Sequence, residues 1–211
     1  MTMETTGALI GKAGSENRMA EFAVAYDLVK KWEGNHVYAV LKGDDGGETF
    51  AGISRVYVPE WSGWGIVDAE KKKYKSGIIP NGTKIPMADI AVVDYYQIYI
   101  WEKKGQCNML KNQQLANLVF DSCVQHGKAA RIINWAVVDA GGKMKMIKNK
   151  KGTLEPVNFI YSDTLNYLNS MPERMYALIW ERRYKYYHDD DDFDKFGKGW
   201  MNRLNSFPKT I

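Results

Sequence analysis

Apolar residues recur along this chain at three- and four-residue spacing, the pattern of amphipathic helices. In residues 19–33 the stripe is Phe22, Tyr26 and Val29, and Glu33 lies four residues further along the same face. Gly34 then predicts a stop, because glycine enters the left-handed region at little cost. A second run opens at Pro86, where proline suits a first turn, and reaches Gly105. Its predicted inner face is Ile90, Val93, Gln97 and Ile100, widened by Tyr96 and Tyr99, with Trp101 at the end. Further on, Leu115, Leu118, Val119 and Ser122 predict one helix, and Ile132, Ile133, Ala136 and Val137 the next, ended by Gly141 and Gly142. Pro156 and Pro172 each predict a helix start, the first followed by Val157, Ile160, Leu165 and Leu168, the second by Met175, Ile179 and Arg182. Phe196, Trp200, Leu204 and Phe207 form the last stripe. A mainly α protein is expected.

The helical period breaks in four places. Residues 1–17 hold Gly7, Gly11 and Gly14 among small polar residues and predict a loose tail. Residues 44–54 read D-D-G-G-E-T-F-A-G-I-S, an acidic, glycine-rich tight turn after which Thr49, Phe50 and Ile53 resume order. Residues 55–85 are the least regular, with Tyr57, Trp61, Trp64 and Tyr74 set among glycines and prolines. Such aromatics are either plugs beneath a loop or platforms on which sugar rings stack. Residues 143–151 alternate methionine and lysine and predict a short basic β-hairpin.

Composition narrows the class. The chain has 211 residues, 45% of them hydrophobic and 13% aromatic, enough for a sizeable core in one large domain or two packed lobes. A net charge of +4 helps docking onto an anionic polymer but is too small to argue for nucleic acid, and no arginine-rich stripe is present. No stretch is long and apolar enough to span a membrane, and Ala8, Leu9 and Ile10 are too few for a signal-peptide core, so synthesis in the cytoplasm is expected. Cys107 and Cys123 have neither metal nor redox spacing and read as free, partly buried thiols. His36, His126 and His188 share no metal spacing. The acidic run at residues 188–194 lacks the central glycine and closing glutamate of a calcium loop, and reads as a solvated turn. No metal or cofactor is implied.

Candidate chemistry centres on Glu33. An acid on an apolar face is pushed toward its protonated form by burial, the state a general acid needs near neutral pH. On pattern alone, the better reading is an acid that snorkels at a frayed helix end and pairs with a lysine.

The motifs add to this. Residues 33–36, E-G-N-H, followed by D-x-G-G-x-T-x-x-G-I-S from Asp44, resemble glycoside hydrolase family 108, bacterial and phage N-acetylmuramidases also described as secretion activator proteins. Asp44, Gly46, Gly47, Thr49, Gly52 and Ile53 match the second motif; Asn35 replaces a glycine, His36 an aromatic and Asp45 a proline. The segment F-D-S-C-V-Q-H-G from Phe120 and K-G-W-M-N-R from Lys198 are similar to later parts of the same family, the former in its predicted peptidoglycan-binding module. The resemblance implies a lysozyme-like catalytic lobe with a small β part over residues 18–105, packed against a helical, peptidoglycan-binding-like lobe over residues 106–211. It implies hydrolysis of the MurNAc-β-1,4-GlcNAc bond, with Glu33 as general acid and Asp44, or less well Glu48, as the second carboxylate, positioned by Thr49. His36, Tyr57, Trp61, Trp64 and Asp121 are the candidate substrate contacts, and peptidoglycan strands the expected partner, reached after release to the cell wall. Two other readings stay open: a wall-binding protein without activity, and a secretion or lysis accessory acting through protein partners.

Overall fold

The computed structural model describes residues 18–40 and 47–211. The expected tail at residues 1–17 and the candidate Asp44, with Asp45 and Gly46, lie outside the described residues. Within them the fold is mainly α and lysozyme-like, with a small β part.

The first helix, α1 (Phe22–Val29), buries Ala25, Tyr26 and Val29, the face read from the sequence. It ends four residues before Glu33. Residues 30–35 form successive turns, with Trp32 N–H on Val29 O and Glu33 N–H on Lys30 O, three-residue steps that tighten a helix end. Three strands follow in antiparallel order, β1 (Tyr38–Val40), β2 (Glu48–Phe50) and β3 (Ile53–Ser54). β2 and β3 are joined by Ala51 and Gly52, at φ 51° and 76°, a two-residue hairpin turn of the kind whose twist matches the strands.

Residues 55–85 hold a helix that the sequence pattern concealed, α2 (Trp64–Lys71). Gly63 and Gly65 at its start and a short lysine-rich end obscure its period, yet it buries Trp64 and Val67. The run from Pro86 begins as a 3₁₀ turn (Pro86–Ala88), continues as α3 (Asp89–Asp94) and then widens into a π-helix (Tyr95–Lys104). Its buried face is Ala88, Val92, Tyr96, Ile100 and Trp101, not the predicted Ile90 and Gln97; Ile90 is 76% exposed. Ile90 lies in α3, ahead of the π-helix, and there Val92 takes the inner face instead; Gln97 and Tyr99 are exposed within the π-helix.

The remaining helices are α4 (Gln113–Gln125), α5 (Ala129–Asp139), α6 (Ser162–Ser170), α7 (Pro172–His188) and α8 (Phe193–Leu204). Pro156 does not open α6 as predicted. It closes β5 (Leu154–Pro156), which pairs with β4 (Met146–Lys148) in the expected hairpin, and α6 starts at a reciprocal cap between Tyr161 and Thr164. α4 is the axis of the molecule. Every residue from Leu115 to Cys123 is buried, and α1, the π-helix, α5 and α7 pack around it. One hydrophobic cluster runs from Ala25 through α4 to Phe207, so the C-terminal helices share their core with the N-terminal half. Both cysteines are free and fully buried. Among the described residues no group of histidines, cysteines or acids is arranged to hold a metal, and no helix is long and apolar enough to cross a membrane.

Candidate functional site

Glu33 sits just past α1, at the start of an unusual piece of backbone. Gly34, Asn35 and His36 have φ of 73°, 50° and 59°, three consecutive residues in the left-handed region. That region suits glycine, and among other residues asparagine and histidine tolerate it best. The replacement of a glycine by Asn35 therefore fits the turn without a change of backbone. His36 braces it: Nε2 meets the Tyr26 hydroxyl at 2.6 Å and Nδ1 faces the Asp89 carboxylate at 2.9 Å. Both ring nitrogens are thus committed to protein partners, and His36 is only 20% exposed.

The Glu33 carboxyl is wedged between the β-hairpin and the last helix. Its Oε1 accepts from Arg203 Nη1 at 2.7 Å, and its side chain is 15% exposed. Oε2 occupies the space where a side chain at residue 52 would start: a Cβ on Gly52 would lie 2.2 Å from it. Gly52 is thus required twice, by its positive φ and by the carboxyl against it. The Tyr96 hydroxyl donates its one proton to Ala51 O at 2.8 Å, holding the hairpin turn beside Glu33. Burial raises the Glu33 pKa; the charge and hydrogen bond of Arg203 oppose this, Asp121 adds to it, and Tyr96 opposes it. The net direction is upward, so the proton is held more tightly than by an ordinary glutamate.

Gly52→Ala is expected to cost about 1–2 kcal/mol for the left-handed alanine alone. A lowering of the thermal midpoint by roughly 5 °C should be seen. Activity should fall more than stability, because the new methyl displaces the Glu33 carboxyl.

Behind Glu33 stands a chain of buried charges. Arg203 Nε donates to Asp121 Oδ1 at 2.8 Å, and Arg183 Nη2 donates to Asp121 Oδ2 at 2.7 Å. Arg183 also donates to Gln125 and to the Tyr187 hydroxyl, which meets His126 Nε2 at 3.0 Å. Asp121 and Arg183 are both fully buried. Burial, then the neighbouring Arg183, Arg203 and Lys104, pushes His126 down to about 2, so the ring is neutral.

The other sequence candidates are distributed as follows. Thr49 donates its hydroxyl to Ala39 O across β1–β2, at 3.1 Å, in the strand that leads into the Ala51–Gly52 turn. Glu48 is held by Arg55 and Lys71, which accounts for its carboxylate. Trp61 and Trp64 are buried, and their indole N–H groups donate to Ala91 O and Val58 O. Trp64 also packs under the Arg55 guanidinium. Trp61 lines a cavity of about 490 Å³ with Glu60, Tyr95 and Tyr99, but neither Glu33 nor Tyr96 lines it. Tyr57 is 70% exposed, free to present its ring. Asp121 has no exposed surface: it stands behind Arg203, away from any ligand.

Sequence reasoning missed Arg203 and Arg183. A signal was present. Arg203 lies three residues after Trp200 and four before Phe207, on the same stripe, and Arg183 lies four after Ile179. With Asp121 beside Leu118 and Ser122, these are three charges at core-facing positions, and such charges must find one another.

Residues 26–127, just under half of the chain, match the family model described as Glycosyl hydrolase 108. The match supports a glycoside hydrolase. It covers Glu33, the hairpin, the π-helix and Asp121, and stops before Arg183 and Arg203. Among solved structures the chain is similar to that of Brucella abortus SagA, at 23% identity and a TM-score of 0.59, covering 88% of this chain and 90% of that one. At that identity the likeness is one of fold. No curated protein matches the chain.

Proposed function

We propose that the protein is an N-acetylmuramidase that cleaves the MurNAc-β-1,4-GlcNAc bond of peptidoglycan, with Glu33 as its general acid. The observation that carries this is the Glu33 carboxyl itself. It is partly open to solvent, shifted toward its protonated form by burial, and held from two sides by Arg203 and by the glycine turn. The family match over the same stretch gives the reaction class.

In this reading Glu33 delivers its proton to the leaving glycosidic oxygen as positive charge develops on the sugar ring. The carboxylate left behind is then stabilised by the Arg203 guanidinium, which already donates to Glu33 Oε1. That group is in place before the reaction and acts most strongly once the proton has gone, which lowers the barrier rather than only binding substrate. Asp44, from the matching motif, is the proposed second carboxylate, with Thr49 holding the strand that leads to the hairpin. Tyr57, on the surface, is the proposed stacking platform. Trp61, Trp64 and Asp121 support the scaffold instead.

The test is digestion of purified peptidoglycan, with the reducing ends of released fragments identified by mass spectrometry. Fragments ending in N-acetylmuramic acid are expected. Fragments ending in N-acetylglucosamine would assign a different bond. Wall binding without release would leave a binding protein, the state favoured if the ion pair with Arg203 keeps Glu33 ionised.

A further inference from the structure

The carboxyl proposed as the acid and the cation that holds it are 170 positions apart in the sequence. α8 supplies the cation, and that cation is itself shared. Arg203 gives Nη1 to Glu33 and Nε to Asp121, at 2.7 and 2.8 Å, while Asp121 takes Arg183 on its other oxygen. Four charged side chains from a turn, α4, α7 and α8 thus form one unbroken line ending at the proposed acid.

We infer that Arg203 is a positioning residue for Glu33, held in its orientation by Asp121 and Arg183, so that the C-terminal helix is a working part of the catalytic site and not only a neighbouring layer. The inference rests on Glu33 being the acid. It follows from geometry. Arg203 is nearly buried and its planar fork is fixed by the Asp121 bond, so the Glu33 carboxyl has one defined place to dock. It also follows from sharing. An arginine facing one carboxylate holds it ionised, whereas an arginine divided between two neutralises each less fully, and the outer one can keep its proton.

The groups facing Glu33 make the expected direction definite. Arg203 faces it from α8 and Tyr96 from the π-helix; Tyr26 lies near it on α1, and Asp121 stands behind Arg203 on α4. A general acid must be protonated to act, so the rate falls as pH rises through its pKa. Removing Arg203 deletes the one cation among these groups. It moves the alkaline limb of the rate profile to higher pH. Neutralising Asp121 deletes a competing anion and leaves Arg203 to Glu33 alone. It moves the same limb to lower pH.

The experiment is the pH dependence of peptidoglycan hydrolysis by the full chain, for the wild type, Arg203→Met, Arg203→Lys, Asp121→Asn and Glu33→Gln, each with a thermal melt. Arg203→Met is expected to shift the limb upward by about one pH unit. Its plateau rate should drop about tenfold to a hundredfold from lost alignment. Arg203→Lys should return the limb toward the wild-type position without restoring the plateau, since an ammonium replaces the charge but not the fork. Asp121→Asn should shift the limb downward. Folded Arg203→Met with an unmoved limb sinks the inference. If Asp121→Asn does not fold, the two Arg203 variants, which leave the Asp121–Arg183 pair intact, decide alone. Wild-type activity in Glu33→Gln is a separate result that overturns the choice of acid itself.

Discussion

Replacing Glu33 by glutamine should lower the rate of glycan cleavage by roughly 10²–10⁴-fold, the usual contribution of a positioned general acid. The fold should survive. Glutamine has the same shape, its amide oxygen can still accept from Arg203, and it fits the same space over Gly52. The variant also removes a carboxyl that burial already disfavours in its charged form. Its thermal midpoint should therefore stay near that of the wild type while activity is lost, the separation of stability from chemistry expected at a functional site. The pH profile adds a second reading. The wild-type rate should hold below the raised pKa of Glu33 and decline as pH passes above it. The residual rate of the glutamine variant should show no such decline, because the group that titrates is gone. A full rate in Glu33→Gln, measured by release of reducing ends, would move the acid elsewhere in the site.

Much of this site was legible in the sequence because its elements are local. Gly34 predicts a helix stop after Glu33, but α1 ends earlier, at Val29, and Glu33 lies in the turns that lead to the left-handed residues 34–36. The motif glycine at residue 52 is explained by a turn and by the carboxyl it accommodates, both invisible until the hairpin is placed beside α1. The stripes of α4 and α5 were readable in full, because each is an ordinary α-helix packed on the core, whereas on α8 the predicted Phe196 is 45% exposed and on α7 the buried arginine is Arg183, not the predicted Arg182. The helix from Pro86 was readable in extent and partly in face: Tyr96, Ile100 and Trp101 are buried as read, while Ile90 and Gln97 are exposed. Tyr96 is in the core stripe as read, but its bond to the Ala51 carbonyl beside Glu33 could not be seen from spacing.

What could not be read was pairing at a distance. Trp61 and Trp64 lie in a stretch where glycine and proline suggest an open loop, and the α2 helix that buries Trp64 has too few turns to show its period. Asp121 and Arg203 each match a motif, but a motif gives no direction for a side chain. Asp121 looked able to meet a substrate until α7 and α8 were in place on either side of it. The general lesson is physical. A charge at a core-facing position predicts a partner, and only the tertiary fold chooses which one.

That partnership makes Arg183 the residue whose loss should destabilise the protein most. Its side chain is fully buried, and Nη2 alone carries bonds to Asp121, Gln125 and Tyr187. Nε and Nη1 have no hydrogen-bond partner among the described residues, so the guanidinium is buried without full satisfaction. Such an ion is poor evidence of stabilisation by itself, yet removing it strands its partner. Arg183→Met should cost roughly 3–5 kcal/mol, because Asp121 then keeps its buried charge with only Arg203 to offset it. For a chain of this size that corresponds to a thermal midpoint lowered on the order of 10 °C. The effect should not add with Asp121→Asn. Once Asp121 is neutral, the loss of Arg183 no longer leaves an uncompensated anion, so the double variant should be more stable than the sum of the two singles by about 0.5–3 kcal/mol. Urea unfolding of the four proteins measures this directly. Strict additivity would mean that the two charges do not sense each other across 2.7 Å. A positive coupling would mean that Asp121 and Arg183 act as one unit in the buried line behind Glu33.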